Sequence, residues 1–497
     1  MNKETAVLID ITGIQEYIFQ NKKLKENIGA SYIIEHLVYK QYIKDVLKKE
    51  AEFEGGGNCL LRFPDKEQAK EFTKEWSKRL LVLTPSLVPS IAVKEDFDFD
   101  STQFPEDYKS LNNELKKQKN SYIPVTHLLS HGINAECSHS NLSMEIYDRS
   151  DKDESEYISA SVKAKLRVLS DANEMWRLDF LKNESYKFPL ELDNLGSKKG
   201  EDSHIAIVHI DGNGMGERFK NCKTLKELQE LSGSLVKATN KSFLSLINKI
   251  IENYRKLEKE FELKENILPI RPIVLGGDDI TFVTDAKLGI YFAKLFMEHF
   301  VTEKDNNNKP LNLTACAGVA IIKNKYPFYR GYQMAEALCA NAKKIRRDLG
   351  DQGSWLDYQV FPTGIYGGLK EIRESHYITG DGNHLLWRPY KLGDGIHGLD
   401  SMRKAAGELA FNPISNEQMP RSKYKELQNI LGKSKEERQS FLLQEEFRDR
   451  KLPQWDNSDS LFREKSINVS SIKTVTPYYD MIEISEYYPE FLLKEEK

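Results

Sequence analysis

Cysteine is scarce: the chain has five among 497 residues, at Cys59, Cys137, Cys222, Cys316 and Cys339. None forms a C-x-x-C pair, which argues against a disulfide framework and against a structural zinc site. Cys137 with the nearby His131 and His139 supplies too few ligands for a four-ligand zinc site. Long apolar runs are also missing. No stretch is long enough to span a bilayer, and the first residues, Met1 to Ala6, carry no signal-peptide core. A reducing, cytoplasmic setting is expected. Charge of one sign is not in excess either: 72 basic residues stand against 76 acidic ones, a net charge of −4. That balance excludes a global pull toward nucleic acid but leaves local basic patches open. A G-x-G-x-x-G dinucleotide fingerprint is absent as well.

What is present is a set of short apolar strands separated by helical patterns, the mark of an α/β (α+β) protein. The length allows two to four domains. Ala6–Ile9 is a short apolar strand ending at Asp10, followed by helical periodicity from Gly13 to Leu47. Gly55–Gly57 leads into a strand, Asn58–Phe63. A helix over Asp65–Leu81 and a strand over Leu87–Val93 then give β-α-β-α-β. This is the pattern of a ferredoxin-like palm over residues 1–95. Residues 96–200 are polar and mainly helical, a linker region. Residues 201–350 repeat the palm order more clearly, as a second ferredoxin-like palm. Residues 351–497 begin with a short irregular stretch and continue as a polar, mainly helical C-terminal domain.

The motif with the most chemical content is Leu275-Gly276-Gly277-Asp278-Asp279-Ile280. Apolar residues on both sides make it a β-hairpin whose tight turn carries two carboxylates. The preceding strand, Ile205–Ile210, ends in Asp211-Gly212-Asn213-Gly214. Gly-Asp clusters occur in ordinary turns. An aspartate closing one strand beside an acidic pair on a neighbouring hairpin is, however, how a nucleotide-polymerising palm holds divalent metal. Carboxylates are the hard oxygen ligands that Mg²⁺ shares with substrate phosphates. Side chains alternate along a strand, so one of Asp278 and Asp279 should lie nearest Asp211. Asp211, Asp278 and Asp279 are the candidate catalytic and metal-binding residues, with Mg²⁺ or Mn²⁺ as the cofactor. Gly212, Asn213, Gly214, Gly276 and Gly277 are candidates for approaching nucleotide phosphates through backbone N–H groups. Lys343 and Lys344, late on the last palm helix, are candidates for gripping a triphosphate, though most helix lysines are simply solvated. In the first palm, Asn58 and Cys59 stand where an acidic pair would be, so that half is expected to be structural.

These residues resemble the large polymerase-cyclase subunit of type III CRISPR effector complexes, over about residues 5–350. The specific parts are Gly13-Ile-Gln-Glu-Tyr-Ile-Phe19 with Leu24-Lys-Glu-Asn-Ile-Gly-Ala-Ser31, then Asp211 with Gly276-Gly277-Asp278-Asp279, and Gly318–Ile322 followed by Lys325-Tyr-Pro327. The GGDD is shared more loosely with diguanylate and class III nucleotide cyclases. The resemblance implies ATP as substrate and 3′-hydroxyl attack on an α-phosphate with loss of pyrophosphate. The product would be a cyclic or linear oligoadenylate used in anti-phage defence. It also implies other CRISPR-type subunits or RNA as partners, and further copies of the chain are another possible partner; none is a membrane. Two departures stand out. The sequence opens directly on the first palm, without the family's HD nuclease domain, and the cysteine-rich module between the palms is reduced to Cys137. A stand-alone signalling enzyme therefore stays open. So do two other readings, a diguanylate or mononucleotide cyclase and a non-catalytic scaffold of an RNA-guided complex.

Overall fold

The computed structural model describes the chain apart from residues 1–3, 49, 56, 122–134, 141, 150–154, 183–184, 197–202, 265, 306–307, 363–366, 412–420, 449–451, 456–459, 469–470 and 495–497. Gly56 and His131 lie outside the described residues.

The first palm opens with strand β1 (Glu4–Thr12) and the helices α1 (Ile14–Phe19) and α2 (Leu24–Tyr32). A π-helical stretch, Ile33–Gln41, leads into α3 (Tyr42–Leu47). The hairpin β2 (Phe53–Gly55) and β3 (Asn58–Phe63), helix α4 (Lys66–Leu83) and strand β4 (Val88–Phe97) complete it. Asp65 caps α4 by accepting from the Gln68 N–H at 2.8 Å, an ordinary N-cap. The sheet order is β2-β3-β1-β4, with β1 antiparallel to both neighbours. The added strand β2 makes the order β-α-β-β-α-β. The strand β1 is apolar from Ala6 to Ile9 because both its faces are covered there. Val7 and Ile9 enter the core with Ile28, Phe72 and Trp76. Ala6 and Leu8 point to the other face, against Phe104, Leu111 and Leu115 of α5 (Phe104–Ser121).

The linker region continues with the small hairpin β5 (Ile146–Asp148) and β6 (Glu156–Ile158) and the helices α6 (Ala160–Arg167) and α7 (Leu169–Phe180). Buried Lys165 ties α6 to the first palm, donating to the Tyr17 carbonyl at 2.7 Å and to Asn21 Oδ1 at 2.8 Å.

The second palm comprises β7 (His204–Gly212), α8 (Met215–Lys220), α9 (Leu225–Glu252), α10 (Tyr254–Phe261), β8 (Ile270–Gly276), β9 (Asp279–Asp285), α11 (Gly289–Thr302), β10 (Ala315–Lys323) and α12 (Phe328–Asp348). Its four palm strands run β10-β7-β9-β8, the same topology as the first palm. Helix α12 lies close on β10 because Gly318 has no side chain; a Cβ there would stand 1.9 Å from the Ala335 carbonyl oxygen.

The sheet runs on past residue 350. Strand β11 (Trp355–Phe361) adds in parallel to β10, and β12 (Tyr390–Lys391) pairs antiparallel with β11. The expected irregular stretch is thus a fully buried strand. Beyond it lie α13 (Leu369–His376), α14 (Leu399–Phe411), α15 (Arg421–Leu431) and α16 (Lys435–Phe447). The hairpin β13 (Arg463–Asn468) and β14 (Ser471–Val475) precedes the short helices α17 (Tyr478–Glu486) and α18 (Glu490–Leu493). Among the described residues no helix is long and apolar enough to cross a membrane.

The palms meet through side chains of both. Phe19 stacks on Tyr332 with ring centroids 3.7 Å apart. On the other flank, Ser232 Oγ of α9 donates to the Glu54 carbonyl of β2 at 2.9 Å.

Candidate active site

Strand register brings the carboxylates together. Asp211, at the end of β7, is paired directly with Asp279, the first residue of β9. Residues directly opposite in an antiparallel pair share a face, so these two side chains stand on the same side of the sheet. Asp278 occupies the turn between β8 and β9. Gly277 holds that turn at φ 67°, a left-handed conformation that glycine adopts without strain. The turn is pinned from two sides: Thr239 of α9 donates to the Gly277 carbonyl, and the Gly212 N–H donates to the Asp278 carbonyl at 3.0 Å. A Cβ on Gly212 would sit 2.9 Å from Asp278 Cβ, so only glycine lets the turn close over the end of β7.

The carboxylates repel and are shielded, and both effects appear in their acidities. Burial, then the charge of Asp211, pushes Asp278 up to about 6. Burial also raises Asp279, against the opposing pull of His209. His209 Nδ1 stands 3.4 Å from Asp279 Oδ1 and 3.3 Å from Thr281 Oγ1. Asp279 Oδ1 is shielded from solvent without a hydrogen-bond donor on it. Lys343 of α12 pairs with Asp211. Lys344, one residue on, is exposed and lines a different cavity on the far side of the helix.

Two cavities flank the hairpin. One, of about 860 Å³, lies between the palms, lined by Asp278 and Asp279 together with Gln15, Tyr39 and Asn58 of the first palm. The other, of about 990 Å³, is lined by Asp211, Asp278, the Gly212–Gly216 turn, Lys343, Arg346 and Arg347. Asp278 lines both. The Gly212 and Asn213 N–H groups are committed to the Asp278 and Thr314 carbonyls, the second at 2.8 Å. The cationic side chains lining this cavity are Arg218, Lys220, Lys343, Arg346 and Arg347; Arg218 donates to the Leu311 and Asn312 carbonyls and Arg346 to the Gly353 carbonyl. Gly276 and Gly277 line the inter-palm cavity instead. Two residues around the carboxylates carry no local sequence signal: His209, and Tyr332, whose ring meets His209 edge-on at 5.6 Å; Gln15, within the Gly13–Phe19 motif, favours the charged form of Asp279.

The first palm repeats this geometry without the acids. Asp10 pairs in register with Asn58, and Gly55 with Asn58, as Asp211 and Gly276 pair with Asp279. The positions equivalent to Asp278 and Asp279 are thus Gly57 and Asn58, one residue earlier than the sequence alone suggests. Gly13 and Gly214, each three residues after its aspartate, open α1 and α8 with φ 71° and 72°. Lys119 of α5 pairs with Asp10 at 2.5 Å, as Lys343 pairs with Asp211.

Residues 204–349 match the family model of the Cas10/Cmr2 second palm domain. Among solved structures, a chain of the Csm1–Csm4 cassette in complex with AMPPNP is similar at 14% identity and TM-score 0.52, covering 87% of this chain and 63% of that one. The cassette in complex with pppApApA is similar at 13% identity and TM-score 0.50, covering 97% of this chain and 69% of that one. In the complex with pppApA this chain spans about half of the matched chain, 55%, at 14% identity and TM-score 0.46. Among curated proteins no sequence match was found. The matched segment runs from β7 to the end of α12 and holds all three aspartates, so the chain carries a palm similar to the second palm of Cas10/Cmr2.

Proposed function

We propose that the chain is a metal-dependent nucleotidyltransferase that joins ATP into a linear or cyclic oligoadenylate. The observation that carries this reading is the in-register pair Asp211–Asp279 with Asp278 on the adjoining turn, set between two nucleotide-sized cavities. The pppApApA and AMPPNP complexes of similar chains favour adenine nucleotides for this one.

The carboxylates fit Mg²⁺ or Mn²⁺. Asp279 Oδ1 lacks a donor, and burial holds the Asp278 and Asp279 carboxyls above the usual carboxylate range. Among the described residues no three His, Cys, Asp or Glu side chains form a ready-made cage. Mg²⁺ in nucleotide sites keeps several waters and is completed by substrate phosphates. Asp211, Asp278 and Asp279 would hold it, and when bound it supplies charge neutralisation and Lewis-acid polarisation at the reacting phosphate.

The protein's own groups account for positioning. Lys343, Arg346 and Arg347 bind the triphosphate of one nucleotide beside Asp211. The inter-palm cavity holds the second and presents its 3′-hydroxyl across Asp278. Holding the two reactants in one geometry removes much of the entropic barrier to their reaction.

The test is incubation of the purified chain with each NTP and Mg²⁺ or Mn²⁺, followed by mass spectrometry. Oligoadenylates from ATP are expected. A cyclic dinucleotide or mononucleotide from GTP would instead make the chain a conventional cyclase, and no product with any nucleotide would make it a scaffold.

A further inference from the structure

We propose that the cleft between α12, α13 and the β13–β14 hairpin binds a phosphate-bearing ligand of mononucleotide size, at a site separate from the GGDD carboxylates. The cleft has a volume of about 570 Å³, within the usual range for a small-molecule site. Three of its lysines, Lys344, Lys465 and Lys473, have no carboxylate within ion-pair distance among the described residues. Lys344 and Lys473 are exposed and reach it from opposite walls. Lys465 is 6% exposed. Its ammonium donates to the Trp387 carbonyl and lies 5.1 Å from that indole's centroid.

A buried ammonium without a counter-ion is costly. Burial lowers Lys465 to about 7, against weaker favourable contributions from Asp480 and Asp357. The arginines of the cleft do not share this state. Arg373 is paired with Asp357 at 2.9 Å and Arg388 with Asp480 at 2.6 Å. The acids lining it are Asp348 and Glu374, the latter facing Lys370 at 3.8 Å. The unpaired balance is therefore cationic. Three separated ammonium groups suit a multiply charged anion better than a single carboxylate. The aliphatic walls from Ile345, Leu386 and Val475 suit a base or ribose beside the phosphate. Helix α12 divides the two sites: Lys343 meets Asp211, while Lys344 faces the cleft.

The test is calorimetry on the full chain in EDTA, which removes divalent ions from the GGDD site. AMP and inorganic pyrophosphate are the probes. Saturable binding is expected, weakened about tenfold or more in the double variant Lys344→Glu, Lys473→Glu, since two of the three ammonium groups facing the anion are then replaced by carboxylates. Asp278→Asn should leave it unchanged. Tighter binding of AMP assigns the site to nucleotides, and tighter binding of pyrophosphate assigns it to inorganic phosphates; both support phosphate recognition. Lys465→Met should also abolish binding, and if that variant does not fold, the exposed pair still decides. Absence of binding at about millimolar ligand, or equal binding in the double lysine variant, overturns the proposal. Because the readout needs no turnover, it stands or falls independently of the catalytic reading.

Discussion

Neutralising Asp211 while keeping its shape separates its charge from its packing. Asp211→Asn removes one of two carboxylates that face each other across β7 and β9, and releases Lys343 from its partner. Mn²⁺ affinity and turnover should fall together, read by calorimetry and product formation. Unchanged metal affinity would give Asp211 another role. Removing both turn carboxylates, Asp278→Ala with Asp279→Ala, should lower turnover on the order of 10²-fold or more while leaving the circular dichroism spectrum intact, as for other losses of transition-state charge stabilisation. Lys343 acts on a different quantity. It lies beside Asp211 in the cavity that also holds Arg346 and Arg347, so Lys343→Ala should raise KM for ATP more than it lowers kcat. An equal fall in both kcat and kcat/KM would place the lysine at the transition state instead.

The elements show where the sequence can be read and where it cannot. The GGDD hairpin is legible because its signal is local: two glycines, two acids and apolar runs on either side. Strand β2 is not legible, since Phe53–Gly55 is three residues long. Missing it shifts the first-palm comparison by one residue, from Gly57-Asn58 to Asn58-Cys59. Strand β11 is hidden for another reason. Asp357 and Gln359 interrupt its apolar pattern, yet both are completely buried. Arg373 of α13 grips Asp357 through two hydrogen bonds of 2.9 Å, and Gln359 donates to Tyr377 at 2.7 Å. Only tertiary partners make those polar residues tolerable in a core. The same limit explains why His209 and Tyr332 escape notice, since packing alone brings them to Asp279. Helix α12 depends on a close approach that one glycine permits. Gly318→Ala would push a methyl group into the Ala335 carbonyl at 1.9 Å. Overpacking of this kind costs about 1–3 kcal/mol or more, so thermal unfolding should show a clearly lowered Tm. A wild-type Tm would mean that α12 can slide on β10 without loss.

At the scale of the whole molecule, two palms of one topology face a common cavity, and only one carries the acids. Both place an aspartate at the end of the first strand and a left-handed glycine three residues later. They differ where chemistry would need them alike. Asp10 is opposed by Asn58, lies under Lys119 and has its acidity lowered by burial, with the ammonium acting the other way. A lone carboxylate with no second one beside it is poorly placed to share a divalent ion with phosphate, which calls for more than one oxygen ligand from the protein or the substrate. The first palm instead contributes Gln15 to Asp279 and one wall of the inter-palm cavity. The two halves should therefore respond unequally to equivalent substitutions. Asp10→Ala should keep most of the turnover and Mn²⁺ affinity of the parent. Gln15→Ala should raise KM for ATP, because it removes a contact to Asp279 and opens the wall against which the second nucleotide rests. The comparison is made on oligoadenylate formation at several ATP concentrations. Loss of Mn²⁺ binding in Asp10→Ala with full binding in Asp211→Asn would reverse the assignment of the two palms.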